Sequence, residues 1–355
     1  MKMKKTLLAS LVAVCAIVTT VNAQDSTKVD NFKPSGTVQG KIFADWHGTS
    51  TQITPSSGPS TTSETSAFEI TRAYFGYDYH FSQSLSGNVK LDVGNDAGLS
   101  VYTAYLKNAG LSWKATKQLT INFGLIDTHQ FNLQEGFWGK RYLYNSFQDK
   151  YHFGSSADAG AIFLYKFNDM FKLDVSILNG DGYKSAQDAR GQYQFAGGLT
   201  ITPVKGLFIR GYYDVYSIAN SYNTPTRDSL GSQSTLSTFV GYKGAKFSIG
   251  AEYNMQNNHG YIYNRTLSGE SFYGDFWITK KIGVFARYDM LTSNKVTSSS
   301  TDNWDAPSDG SIIIAGLECK PVKGVALSLN YQGWTPYLST GAHVNSIYTS
   351  LQYAF

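Results

Sequence analysis

The feature that most constrains this chain is a period-two alternation of apolar and polar residues, which recurs from about residue 36 to the end. In the segment GVALSLNYQ (324–332), every second residue is apolar and the residues between are small or polar. The segments AKFSIGAEYNMQ (245–256) and SLSGNVKLDV (84–93) repeat this pattern. Because successive side chains of a β-strand point to opposite faces, the alternation predicts strands with one apolar and one polar face.

About sixteen such segments can be counted, and the connections between them fall into two classes. The predicted strands lie near 36–47, 67–80, 84–93, 100–114, 118–126, 157–167, 171–179, 193–202, 206–217, 234–243, 246–256, 270–280, 282–291, 311–320, 324–332 and 345–355. Seven connections are tight turns, and eight are long, near 48–66, 94–99, 127–156, 180–192, 218–233, 257–269, 292–310 and 333–344. Short and long connections alternate, as antiparallel strands require when all long loops lie at one end.

This alternation of connections separates the candidate all-β folds. A β-sandwich also has alternating strands, but it does not place its long loops at every second connection, and an open sheet of sixteen strands exceeds the usual size. A closed membrane barrel has short periplasmic turns, long external loops, apolar residues toward lipid and a polar lumen. The sequence therefore predicts an all-β fold, a transmembrane antiparallel β-barrel of about 16 strands over 36–355; a soluble exported β-protein is the alternative.

The start of the chain predicts export. Lysines at positions 2, 4 and 5 precede a short apolar run and the segment VNA, which together are typical of a secretory signal peptide over 1–23. The polar residues 24–35 then predict a periplasmic lead-in. Removing the three lysines takes Lys+Arg from 30 to 27 against 26 Asp+Glu, so no basic nucleic-acid surface is indicated. Cys319 becomes the only cysteine of the exported chain, which excludes an intramolecular disulfide.

The connection over 127–156 differs from an ordinary loop because it is long, rich in aromatic residues and highly charged. Folded into the lumen, its rings would pack on the barrel wall and its charges would face the channel. The hypothesis is that this loop constricts a pore; the alternative is an ordered external lid. The candidate constriction residues are Glu135, Trp138, Lys140, Arg141, Asp149 and Lys150.

Three segments and the last residue carry a family resemblance. They are FEITRAYFGYDYHFSQSLSGNVKLDV, GFWGKRYLYNSFQDKYHFGSSADAGAIF, ILNGDGYK and Phe355. In the order of these features the chain resembles the phosphate-selective porin family (porins O and P). The resemblance implies an outer-membrane barrel of sixteen strands, commonly a homotrimer, through which small solutes diffuse. The terminal aromatic Phe355 also resembles the signal by which the barrel assembly machinery recognises its substrates.

The charges on the polar strand faces indicate how selective such a channel would be. The candidate lumen-wall cations are Arg72, Lys90, Arg210 and Arg287, with Lys41 also on a polar face. Acids alternate with them at Asp45, Asp92, Asp214, Glu252, Asp275 and Asp289. Rings of like charge make a pore ion-selective. Because both signs are interleaved here, with pairs such as Arg210/Asp214 and Arg287/Asp289, the sequence favours a weakly selective pore without the arginine ladder of phosphate-selective members.

An enzyme is not expected. The six histidines are spread over separate connections and strand ends, and none belongs to a hydrolase signature. No histidine is expected to share a strand face with carboxylates at metal-ligand spacing, so no metal, cofactor or catalytic residue is predicted. The predicted function is a porin of a Gram-negative outer membrane, in contact with outer-membrane lipid and passing small hydrophilic solutes or anions. The alternatives are an anion- or phosphate-selective channel and a non-conducting structural or adhesive barrel.

Overall fold

The computed structural model describes residues 32–94, 102–187, 192–217, 231–297 and 300–355. Residues 35–355 form one compact unit. The signal peptide predicted over 1–23 and the lead-in up to residue 31 lie outside the described residues. Among the described residues, no helix has the length and apolar character needed to cross a membrane.

The described chain forms sixteen antiparallel strands that close into a barrel, because β16 pairs with β1 as well as with β15. The strands are β1 (Ser35–Ile53), β2 (Thr61–His80), β3 (Leu85–Gly94), β4 (Thr103–Lys114), β5 (Leu119–Asp127), β6 (Ala157–Lys166), β7 (Phe171–Leu178), β8 (Gln194–Ile201), β9 (Leu207–Tyr216), β10 (Gln233–Lys243), β11 (Phe247–Asn257), β12 (Thr266–Trp277), β13 (Ile282–Ser293), β14 (Gly310–Cys319), β15 (Val325–Pro336) and β16 (Ala342–Ala354). The predicted sixteen-stranded all-β barrel is confirmed.

A recurring side-chain motif closes the short turns at one end of the barrel. In the turn between β4 and β5, the Thr116 hydroxyl accepts hydrogen bonds from the backbone N–H groups of Gln118 (3.1 Å) and Leu119 (3.0 Å). Ser82, Asn168 and Thr279 accept the same pair of bonds in three other turns. Such side chains satisfy the backbone donors of a turn and therefore favour tight hairpins.

Three of the predicted long connections are shorter than expected. The connection predicted over 48–66 is wrong, because β1 extends to Ile53 and β2 begins at Thr61. Its serines and threonines pair as strand residues, and β-branched threonine is favoured in strands. The loops predicted over 257–269 and 333–344 are likewise shortened by the longer strands β12, β15 and β16.

The outward face of the barrel is apolar and carries aromatic pairs near the short turns. Tyr165 and Phe167 have ring centroids 4.8 Å apart beside one turn, and Tyr79 and Phe81 have centroids 4.9 Å apart beside another. Across the closing seam, the ring of Phe355 lies over Gly40 of β1, where a Cβ atom would be 2.1 Å from the ring. Aromatic residues at this level are typical of the membrane interface of a barrel.

Two helices interrupt the connection between β5 and β6. They are α1 (Asn132–Trp138) and α2 (Phe147–Lys150). Helix α1 ends at Gly139, which has the left-handed conformation (φ 63°) that glycine adopts readily. The Gly139 N–H donates to the Glu135 carbonyl and so caps the helix. A short 3-10 turn at His259–Tyr261 joins β11 to β12. The candidate site is built around residues 128–156, called here the inner segment.

Candidate pore constriction

The inner segment lies inside the barrel and is hydrogen-bonded to the inward faces of several strands. Tyr273 on β12 donates to the Gln134 carbonyl (3.1 Å). Arg287 on β13 donates to the Asn145 carbonyl (2.8 Å), and Gln332 on β15 donates to the Leu143 carbonyl (3.2 Å). These wall residues alternate with the outward apolar residues of their strands, so one segment contacts all of them only from the lumen.

Aromatic packing fixes helix α1 to one side of the lumen. Trp138 is 2% exposed, and its ring makes edge contacts with Tyr273 (centroids 5.9 Å apart) and Phe285 (6.1 Å). Phe137 packs in the same way against Phe239, with centroids 5.0 Å apart. Wall residues on β14 complete the cluster. Burying aromatic side chains of this size supplies the main free energy for docking the segment.

Buried ion pairs accompany this packing. Lys140 is 3% exposed, and its Nζ lies 2.8 Å from Asp275 and 3.8 Å from Glu318. Glu318 also accepts a hydrogen bond from the hydroxyl of Tyr142 (2.9 Å). The ammonium of Lys140 and the two carboxylates attract one another, and the Tyr142 hydroxyl adds a hydrogen bond. These contacts offset the cost of removing the charges from water. Lys140 therefore holds the segment to the wall, and it does not line open space.

Two of the three arginines predicted for the lumen wall, Arg210 and Arg287, are also buried under the inner segment. Arg287 pairs with Asp289 at 2.7 Å, as expected from the sequence, and its guanidinium lies 4.9 Å from the centre of the Trp138 ring. The expected pairing of Arg210 with Asp214 is wrong: Arg210 binds Asp174 on β7 with both terminal nitrogens, at 2.6 and 3.0 Å.

Cross-strand geometry explains that difference. Arg210 and Asp214 are four residues apart on one strand, whereas Asp174 lies two strands away across Gly198, which has no side chain to separate them. Asp214 instead accepts hydrogen bonds from Gln194 (2.9 Å) and Tyr212 (3.1 Å). The Arg210 guanidinium also donates to a backbone carbonyl of the inner segment at 2.9 Å.

The other side of the inner segment carries a charged cluster that faces the opposite wall. Arg141 donates to Asp149 (2.6 Å) and Glu135 (3.0 Å). Its Nε also donates to the hydroxyl of Tyr74 on β2 (3.2 Å), which joins the segment to that wall. Tyr74 receives a second hydrogen bond from Arg72 (3.3 Å). Cations from the segment and from the wall thus meet at one tyrosine.

The wall facing this cluster bears charges that are mostly paired within the wall itself. Arg72 lies 3.2 Å from Asp92, and Lys90 lies 3.3 Å from Asp127. Lys107 on β4 is buried, and its ammonium donates to the Ser156 hydroxyl at 3.0 Å. Within the described part of the chain, Lys107 makes no ion pair. In direct contact its ammonium therefore meets a neutral hydroxyl, and the carboxylate of Asp149 acts on it only at longer range.

Sequence reasoning missed Lys107 because a β-bulge changes the alternation at that point. The register between β3 and β4 pairs Lys90 with Asn108 and then Leu91 with Leu106, which leaves Lys107 as the extra residue. Consecutive residues Lys107 and Asn108 are both buried on the inner side. A bulge re-aims a side chain in this way. The polar pair KN inside an apolar-alternating strand is the signal that could have indicated it.

Cavities follow the wall of β1–β6 from one end of the barrel toward the other. One of 340 Å³ reaches His80 near the short turns, and it shares Asp127 with a second cavity of 300 Å³ beside Arg141. A third, of 340 Å³, lies beside Arg72 toward the long loops, and it shares Ser156 with the second. The cluster around Tyr74 separates the second and third cavities.

The structure thus divides the predicted site residues into two groups. Trp138, Lys140, Arg210 and Arg287 are buried where the inner segment meets its docking wall. The residues that face open space or line the cavities are Glu135, Arg141, Asp149, Lys150, Arg72 and Lys90. Lys150 is exposed and lies 5.0 Å above the ring of Tyr144.

Comparison with known proteins shows the same barrel. No protein-family model and no curated protein matches the sequence. The outer membrane channel DcaP of Acinetobacter baumannii has a TM-score of 0.65 at 13% identity, over 92% of this chain and 100% of that one. Salmonella typhi OmpF in complex with daunomycin has a TM-score of 0.61 at 12% identity, over 90% and 97%. An anion-selective porin from Comamonas acidovorans has a TM-score of 0.60 at 10% identity, over 91% and 100%. At these identities the likeness establishes the fold alone.

Proposed function

We propose that the chain forms a water-filled channel in the outer membrane of a Gram-negative cell, through which small hydrophilic solutes and ions diffuse passively. The observation that carries this proposal is the asymmetric docking of the inner segment. One side of the segment is buried against the wall by aromatic rings and ion pairs, while the other side presents Arg141, Glu135 and Asp149 to cavities along the opposite wall. Such a segment narrows a pore and leaves a charged path beside it.

The charges along that path set the expected selectivity. Arg141 is neutralised by two carboxylates of its own segment, and Arg72 and Lys90 are paired with acids on the wall. Paired charges of both signs produce a local transverse field but little net potential for one ionic sign. The channel therefore passes ions of both signs with weak preference, and no bond is made or broken in the process.

Deleting residues 132–146 tests the narrowing role. This removes α1 and the Arg141 contact with Tyr74, so single-channel conductance in planar bilayers is expected to rise. A matched control removes 55–59 from the β1–β2 hairpin, which lies outside the constriction, and leaves conductance unchanged. Equal conductance of the first variant and the full chain would contradict the narrowing role, and absence of current in both would favour a non-conducting structural barrel.

An anion-selective channel is the second candidate, and Lys107 is the observation that favours it. Its ammonium is buried beside the path, bonded to a neutral hydroxyl and placed 5.3 Å above the rings of Tyr74 and Tyr183. An uncompensated cation attracts small anions in a low-dielectric pore. The resemblance to phosphate-selective porins and the likeness to an anion-selective porin support the same candidate. The reversal potential in a salt gradient, with phosphate competing against chloride, distinguishes the two.

The family resemblance also supports two proposals about partners. A homotrimer is the expected assembly, which light scattering of the detergent-solubilised protein would test by its protein mass. Phe355 is the proposed recognition residue for the barrel assembly machinery. Replacing it with serine is expected to lower the amount of folded protein in the membrane and to leave the channel properties of the folded fraction unchanged.

A further inference from the structure

A β-bulge in β2 turns Glu69 toward the barrel interior. The register between β1 and β2 shifts between Phe43 and Ala44, where Thr71 of β2 is the extra residue. Without the bulge, Glu69 and Arg72 would point to opposite faces, because they are three positions apart on the strand. The bulge places both on the inward side, the side on which Phe43 is buried. Bulges of this kind are common where a strand supplies a functional side chain.

Glu69 thereby joins two residues of β1 that already share the inner face. Asp45 lies directly opposite Glu69 in the register, and His47 follows Asp45 by two positions. The His47 Nδ1 atom is 3.1 Å from an Asp45 carboxylate oxygen. One nitrogen or oxygen atom from each of the three side chains lies within 4.8 Å of the others. Two adjacent, hydrogen-bonded strands therefore hold one imidazole and two carboxylates together.

This group lacks the basic partners that most carboxylates of the lumen have. Asp92, Asp275 and Asp289 each lie within 3.2 Å of an arginine or lysine nitrogen. In the part of the chain that the structure describes, Asp45 pairs only with His47, and Glu69 makes no ion pair. Two carboxylates on facing strand positions repel each other, which destabilises the pair unless a cation lies between them. The arrangement is thus short of positive charge.

We propose that Asp45, His47 and Glu69 form a binding site for a divalent transition-metal ion of the Zn²⁺ class on the lumen wall. Imidazole nitrogen with carboxylate oxygen suits Zn²⁺, Co²⁺ and Ni²⁺, whereas Ca²⁺ and Mg²⁺ favour oxygen ligands alone. A tetrahedral ion with bonds of ~2.0–2.1 Å separates its ligand atoms by about 3.3 Å, close to the observed Asp45–His47 distance. Three protein ligands leave a fourth position for water, and the exposed Glu69 opens the site to the lumen.

No such ligand set is expected from the sequence, and the structure supplies the reason. Asp45 and His47 alone are two ligands on one strand, which is short of a metal site. The third ligand depends on the bulge, and strict alternation of β2 would have placed Glu69 on the same side as the lipid-facing residues. The proposal goes beyond the proposed channel function, because a barrel can conduct without binding a metal and can bind a metal without conducting.

Isothermal titration calorimetry of the untagged full chain in detergent, with ZnCl₂ at pH 7, tests the site. Saturable binding of one Zn²⁺ per chain is expected, and Asp45→Asn, His47→Ala and Glu69→Gln should each weaken it by at least about tenfold. Matched controls are Glu64→Gln on β2 and His343→Ala on the neighbouring strand β16, which should bind as the unaltered chain does. Heat-modifiable migration in electrophoresis verifies that each barrel is folded.

Co²⁺ provides a second readout that does not depend on affinity. Visible absorption bands of tetrahedral Co²⁺ with nitrogen and oxygen ligands are expected for the unaltered chain and should be lost in His47→Ala. The proposal is overturned if Zn²⁺ shows no saturable binding, if the three ligand variants bind as the controls do, or if Ca²⁺ binds the site as tightly as Zn²⁺. Since calorimetry and absorption need no current, these outcomes are separate from failure of the channel.

Discussion

The two sides of the barrel interior are built from opposite chemistry. The docking wall, formed by the inward residues of β9–β15 that contact the inner segment, buries apolar side chains such as Phe285 and Ile314 together with closed ion pairs. The open wall, formed by the inward residues of β2–β5, carries charged side chains that line cavities, among them Lys90 and Lys107. The docking wall is covered by the inner segment, whereas the open wall lines the cavities and meets the segment through hydrogen bonds such as those of Tyr74 and Lys107.

The contrast between the two walls shows where an inserted segment docks. A water-filled barrel has polar residues on its inner face, so apolar residues on both faces of one strand indicate that its inner face is covered. The run Ile312, Ile313, Ile314 on β14 is such a case: Ile313 is 53% exposed on the outside, and its two neighbours are buried. On the open wall, polar inward residues alternate with apolar outward ones except at the bulges of β2 and β4. Substitutions on one wall should therefore leave the other wall intact.

Trp138→Ala should produce the largest effect, because it removes the central ring of the docking wall contact. Truncation of a buried aromatic side chain costs about 3–5 kcal/mol. The barrel is held closed by strand pairing, so the loss falls on docking of the inner segment. Single-channel recording should show a larger and noisier conductance, approaching that of the 132–146 deletion, and proteases should cut within 128–156. Trp46→Ala, on the outward face, is the control and should leave both unchanged.

A smaller effect on docking is expected for Lys140→Met. The substitution Arg141→Met, at the next residue, tests the opposite side of the segment. Loss of Lys140 leaves the half-buried Asp275 without an ion-pair partner among the described residues, whereas Glu318 keeps Lys320 at 3.4 Å, so the cost should lie below the about 3–5 kcal/mol of breaking a fully buried pair. Arg141 faces the open wall, so its loss should alter the current–voltage relation with little change in protease resistance. Identical phenotypes of the two variants would show that the two sides of the segment are not distinct.

The sequence predicts the fold well because alternation and turn length are local properties. Strand number, antiparallel order and lipid-facing residues all follow from them. The partners across the lumen do not, since Arg210 could be matched with Asp174 only after the register between β7 and β9 was known. Bulges at Thr71 and Lys107 change the face of single residues without changing composition. The burial of Trp138 depends on which part of the inner wall is apolar, and that is set by residues of several strands.

Lys107→Met tests the open wall alone and should have a moderate effect. The substitution removes an ammonium on this wall that has no carboxylate within ion-pair distance among the described residues, and it keeps the apolar stem. The chloride-to-potassium permeability ratio, measured from the reversal potential in a KCl gradient, is expected to fall about twofold, or about 0.4 kcal/mol. Lys172→Met, on a short-turn strand end away from the cavities, is the control. An unchanged ratio would remove the basis for anion preference.

Titration of Asp149 should have the smallest effect on the current, because of its contact with Arg141. Burial raises the pKa of Asp149, but the adjacent Arg141 guanidinium lowers it by more, so the carboxyl titrates below its usual range. A depressed pKa means that the stabilisation from this ion pair is complete above the unfolded value of about 3.9 and is lost only as pH falls through the lower folded value. The part of the conductance and reversal potential that depends on Asp149, measured as the difference between the unaltered channel and Asp149→Asn, should therefore stay constant from pH 7 to about pH 4.5. In Asp149→Asn the currents at pH 7 should already show the altered charge of the cluster, and a difference between the two channels that titrates near pH 5–6 would mean that Arg141 does not hold this carboxylate.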